Sequence, residues 1–160
     1  MVVTQTGTPG LSVQVAAGAA VVNGDDAVRQ GAYVVESDGP VTVGPVSTPH
    51  ASLPRVDRLV LEVLDQEGTA SGGGGRGSDL PRFRIVAGTP SSSPAAPAEP
   101  TTAITLALIN VSAGASAITD ASITDWRPAC NPDAGPTGPT GFTALATPPW
   151  GALLLNGATF

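Results

Sequence analysis

Pro54-Arg55-Val56-Asp57-Arg58-Leu59-Val60-Leu61-Glu62-Val63-Leu64 decides how the rest of the chain is read. At the two-residue period of a strand, Leu59, Leu61 and Val63 share one face, and Arg58, Val60, Glu62 and Leu64 share the other. A strand that is apolar on much of both faces belongs in the middle of a sheet or beneath a neighbouring subunit. Arg55, Asp57 and Arg58 read as ion pairs at its start.

Downstream, residues 65–80 read as a flexible loop centred on Gly72-Gly73-Gly74-Gly75, and Arg82 to Val86 as the return strand, with Phe83 and Ile85 on one face. Residues 87–100 carry Pro90, Pro94, Pro97 and Pro100, a spacing that excludes helix and central strand and predicts an extended surface run. Ile104 to Val111 reads as a buried strand. Strict alternation sets Ile104, Leu106, Leu108 and Asn110 against Thr105, Ala107, Ile109 and Val111. Leu59, Leu61, Ile104, Leu106 and Leu108 are the expected core. Ile118-Thr119-Asp120 is echoed by Ile123-Thr124-Asp125, a period of five that suggests two successive turns.

Upstream, residues 1–9 read as an arm. Leu11, Val13 and Val15 alternate with Ser12 and Gln14 as a half-buried strand, and Ala19 to Val22 forms the next, closed by an Asn23-Gly24 turn signal. Tyr33 to Glu36 and Val41 to Val43 flank Asp38-Gly39 as a further hairpin. Residues 44–54 form a Pro-rich connection holding His50, the one histidine.

Composition agrees with many short strands. Gly (20) and Pro (16) are abundant and charged residues scarce (12%), which favours turns and strands over a helical bundle. The fold expectation is therefore an all-β antiparallel sandwich with long Pro/Gly-rich loops and an extended C-terminal tail. Aromatics make up only 4% of the chain, so Phe83, Ile85, Val86 and Trp126 should each weigh heavily in a thin core. Such a core is expected to gain stability from a partner chain.

The net charge of −6, with every cation an arginine, argues against nucleic acid and anionic membrane surfaces as partners. No apolar run approaches the roughly 18 residues of a membrane span. The N-terminus shows neither a charged nor an apolar leader region, which predicts synthesis in a cytoplasm without a signal peptide. Cys130 is the single cysteine and reads as an unpaired thiol.

Catalytic chemistry finds little footing. Gly72–Gly75 with Arg76 lacks the Gly-Lys-Ser/Thr of a phosphate loop. His50 has no neighbouring Cys and no second histidine to build a metal site. Asp25, Asp26, Asp120 and Asp125 show no calcium-loop spacing and read as turn caps. Paired catalytic carboxylates would be expected beside sugar-stacking aromatics, which are few. The chain is expected to be no enzyme and to need no cofactor or metal. Arg127 is placed to stack on Trp126 or to pair with Asp125, and the Asn110-Val111-Ser112 sequon sits on a buried strand and reads as chance.

Beyond Pro128, Gly135-Pro136-Thr137-Gly138-Pro139-Thr140-Gly141 repeats glycine every third residue, as collagen does, though two triplets are too few for a triple helix. An apolar tail follows. Phe142, Trp150, Leu153, Leu154, Leu155 and Phe160 are its expected partner-docking residues, since such a tail left exposed would aggregate.

In order, Gly10-Leu11-Ser12-Val13-Gln14-Val15, Arg55-Val56-Asp57-Arg58-Leu59-Val60, the ladder from Gly88-Thr89-Pro90 to Pro100, and Ala113 to Pro128 ending in Ile123-Thr124-Asp125-Trp126-Arg127-Pro128 form a pattern. It resembles the upper, virion-proximal domain of minor tail and baseplate proteins of long-tailed bacteriophages, especially phages of actinobacteria. Trp126 stands where that family usually places the first of two Arg-rich positions. The resemblance implies a β-sandwich that attaches fibres or receptor-binding parts to a tail tip. It implies a homotrimer whose partners are other tail or baseplate proteins, located in the virion. It divides the chain into an arm (1–9), a tail-attachment domain (10–128), and a collagen-like linker with docking tail (129–160). The alternative is a carbohydrate-binding module recognising the host cell wall, with Tyr33 and Trp126 as glycan contacts.

Overall fold

The computed structural model describes residues 1–26, 30–64 and 80–128. Among them the chain is all-β, with every strand pair antiparallel. Three sheets share the strands. The first orders β1 (Val3–Gln5), β2 (Val13–Val15) and β5 (Val41–Val43); the second pairs β3 (Gly18–Asn23) with β4 (Ala32–Ser37). The third orders β7 (Leu80–Val86), β6 (Arg55–Leu64), β8 (Ala103–Val111) and β9 (Ile123–Asp125). A 3-10 turn at Asp120–Ser122 leads into β9.

One core joins the sheets in a sandwich-like arrangement. Val13, Val15 and Val43 come from the first sheet, Val22 and Val35 from the second, and Leu59, Leu61, Val63, Leu106, Ile109 and Val111 from the third. Val46 and Ile118 close it from connecting segments. β-Branched side chains dominate, in keeping with their fit to a pleated surface. Phe83 and Ile85 pack at its margin, whereas Trp126 is 55% exposed and contributes no core, against expectation.

The decisive strand is central. β6 pairs with β7 from Arg58↔Val86 to Leu64↔Leu80 and with β8 on its other edge. Its second face is covered as well. The proline ladder folds back across it, with Ser91 N–H donating to Pro54 O (2.9 Å) and Arg58 Nε donating to Pro97 O (2.8 Å). Val60, on that face, is fully buried.

Four local readings are corrected. The N-terminal arm carries β1, which pairs with β2 and exchanges hydrogen bonds with the 3-10 turn. Gln5 N–H donates to Asp120 Oδ1 (2.7 Å) and Asp120 N–H to Gln5 Oε1 (3.2 Å). One inward valine is too short a pattern to show in sequence. Asn23-Gly24 does not turn the hairpin, because Asn23 pairs with Ala32 and Gly24 N–H reaches Gly31 O (2.9 Å). There the Asp25 carboxylate takes the Thr102 N–H, a tertiary bond that outranks the turn preference. Asp38-Gly39 is a corner between sheets, since β4 pairs with β3 while β5 pairs with β2. Ile123-Thr124-Asp125 is strand β9 rather than a turn.

A fifth difference lies in β8. Leu59 pairs with Ala107 but Val60 with Thr105, so Leu106 is an extra residue, a bulge. It brings Ile104 and Leu106 onto the same face as Ile109 and Val111. Leu108 thereby leaves the expected core and is half-buried on the opposite face, paired with Arg58 and Thr124.

Candidate functional site

The start of β6 gathers the chain's connections. Arg55 and Asp57 are 4% and 0% exposed and joined by two hydrogen bonds, Nε to Oδ1 (2.8 Å) and Nη2 to Oδ2 (3.1 Å). Arg55 also donates to the Ser47 (2.5 Å) and Thr48 (3.0 Å) carbonyls. Asp57 Oδ1 accepts the Gly88 N–H (2.8 Å). A buried ion pair is tolerable only when its remaining donors and acceptors are used, as here. The pair ties the 44–54 connection and the head of the proline ladder to the central strand. Arg55, Asp57 and Arg58 were legible as ion-paired, but not their long-range carbonyl partners.

On the outer face of β6, the buried Glu62 accepts from Arg82 Nε and from Arg84 Nε (2.9 Å) and Nη2 (2.7 Å). The three line a polar recess with Val63, Leu64, Pro100 and Thr101. Cross-strand pairing explains it: Glu62 lies opposite Arg82, and Val60 opposite Arg84, so both guanidiniums share the carboxylate's face.

A second recess, of about 220 Å³, is lined by Glu99, Ile104, Thr105, Trp126 and Pro128. Trp126 leaves β9 with its N–H bonded to Leu106 O (3.1 Å) and its indole in solvent. Behind it Arg127 grips Asp125 through Nε (2.8 Å) and Nη2 (2.6 Å), while its N–H adds a third bond to Oδ1 (3.1 Å). Arg127 thus chooses Asp125. These bonds hold the Asp125 carboxyl down at about 2 and raise the Arg127 guanidinium. Within the recess, Thr105 Oγ1 accepts from Arg58 Nη1 (2.5 Å) and donates to Glu99 Oε2, and Arg58 Nη1 lies 3.7 Å from the same oxygen.

Tyr33 sits elsewhere. Its ring packs partly buried against the core, and its hydroxyl accepts from Gln30 Nε2 (3.2 Å). The structure therefore brings Trp126 together with Glu99 and Thr105, not with Tyr33. Glu99 was missed in the sequence because a carboxylate within a proline run shows no strand or turn pattern. Asp25 and Asp120 cap backbone N–H groups, Thr102 and Gln5 respectively, across large sequence separations. His50 Nδ1 accepts the Ser52 and Leu53 N–H groups, a loop-capping role. The docking residues Phe142, Trp150, Leu153, Leu154, Leu155 and Phe160, with Cys130, the Gly-Pro-Thr triplets and the glycine run, lie outside the described residues. No family model matches the chain, and no curated protein and no solved structure matches it either.

Proposed function

We propose that the chain is a structural component of a phage tail tip or baseplate, an adaptor linking the tail hub to fibres or receptor-binding parts. One observation carries the reading: segments that bear the resemblance also do the anchoring. The Arg55-Val56-Asp57-Arg58 run fixes both Pro-rich connections, and the Ile123-Thr124-Asp125 segment adds the edge strand beside β8. A scaffold tied in this way presents its extended segments rigidly, which suits assembly rather than turnover. Its mechanism is burial of apolar surface against neighbouring copies and the hub, with the 142–160 tail as docking segment and a homotrimer as the assembled state.

The test is twofold. Light scattering of the purified 15.8 kDa chain should give a trimer mass. Gold-labelled antibody should decorate the tail tip of the phage that encodes it. A monomer whose antibody leaves virions unlabelled would sink the proposal.

A further inference from the structure

We propose that the recess beside Trp126 is a subsite for one neutral sugar ring, a pyranose unit of a polysaccharide. Trp126 is the only large aromatic exposed among the described residues. An indole face offers the flat apolar surface on which the C–H face of a sugar stacks, and its N–H end stays wet. The base beneath it is rigid: the Trp126 N–H is bonded to Leu106 O, and the Asp125–Arg127 fork follows at once. Ile104 and Pro128 add apolar walls.

Glu99 supplies the polar partner. Its Oε2 is engaged by Thr105 and lies near Arg58, which fixes the carboxylate in place, while the side chain remains 44% exposed. The other oxygen can accept sugar hydroxyls, and such charge-assisted bonds are short and strong. The volume of about 220 Å³ lies below the ~300–1,000 Å³ of drug-sized pockets and suits a single ring.

Charge selects the ligand class. A tryptophan beside a free carboxylate would attract an ammonium group. Here Arg58 already occupies the carboxylate's cationic side at 3.7 Å, so the recess is close to neutral. A neutral polyol meets no unpaired charge there, whereas a cation meets Arg58 and an anion meets Glu99. The subsite is independent of the assembly role. An adaptor without it would assemble in the same way, so its failure would leave the tail-tip proposal standing.

The test is affinity electrophoresis of the full chain through gels containing a soluble glucan, galactan or mannan, with a polyuronate and a cationic polysaccharide for comparison. At least one neutral polymer should retard the native chain. Trp126→Ala should weaken its apparent affinity about tenfold or more, with Trp126→Phe intermediate and Glu99→Gln weaker than native. Val34→Ser, at an exposed site on β4, should migrate as the native chain does. The Trp126 side chain is largely in solvent, so circular dichroism and the urea midpoint of Trp126→Ala should stay native; Glu99→Gln tests the site independently. Absence of retardation by all three neutral polymers, unchanged retardation of Trp126→Ala, or binding only to the charged polymers would each overturn the proposal.

Discussion

Asp57 shows how much one side chain can hold. Its carboxylate neutralises the buried Arg55 and accepts the Gly88 N–H, so two connections depend on it. Asp57→Ala would leave the Arg55 charge buried without its counter-ion, and should cost about 3–5 kcal/mol in urea unfolding. Folded domains hold only about 5–15 kcal/mol in total, so a loss of that size threatens the fold. Gly88 is constrained by space rather than by conformation. A Cβ there would stand 2.1 Å from the Val56 carbonyl oxygen, a backbone atom that cannot swing away. Gly88→Ala should therefore destabilise the chain by about 1–3 kcal/mol through overpacking. Asp125 gives a pH signature. Its carboxyl is lowered, so its pairing with Arg127 contributes fully above 3.8 and fades as pH falls towards 2. Both partners are solvent-exposed, so the contribution is small and salt weakens it. In a carboxyl NMR titration, Arg127→Ala should move Asp125 back up towards the ordinary aspartate value.

At the scale of elements, the bulge in β8 decides which leucine matters. Leu106→Ala should cost about 2–5 kcal/mol because the side chain is buried among core residues of the same sheet. Leu108→Ala, half-buried on the far face, should cost clearly less, and comparison of the two urea midpoints checks the bulge directly. Alternation alone grouped these leucines together, since an inserted residue leaves no mark in the hydrophobic pattern. β6 was legible because both of its faces are apolar and its length exceeds any turn. The sandwich-forming strands β2, β7 and β8 were legible from period two. Partner choice was not: Asp38-Gly39 has the composition of a hairpin, yet valines of β5 pair opposite valines of β2. At the Trp126 recess the tryptophan could be singled out, but Glu99 arrives from a segment with no periodicity and is placed only by Thr105 and Arg58.

On the scale of the whole molecule, the core of the described residues draws on three sheets of one compact unit, Met1–Pro128. A chain ending at Pro128 should therefore unfold cooperatively, with a native far-UV spectrum, while losing the trimer mass expected of the full chain. Unfolding of the truncated chain would make the tail part of the core and remove its docking role. The pairing of β6 with β7 carries a different consequence. It continues to Leu64↔Leu80, so the chain leaves and re-enters the sheet at facing residues of adjacent strands, about 5 Å apart. Closing a loop between fixed ends becomes only slowly costlier as the loop lengthens. A foreign peptide or a guest domain inserted between those two leucines should therefore add a closure cost that rises only slowly with its length, the doorway itself being held by the pairing of β6 with β7.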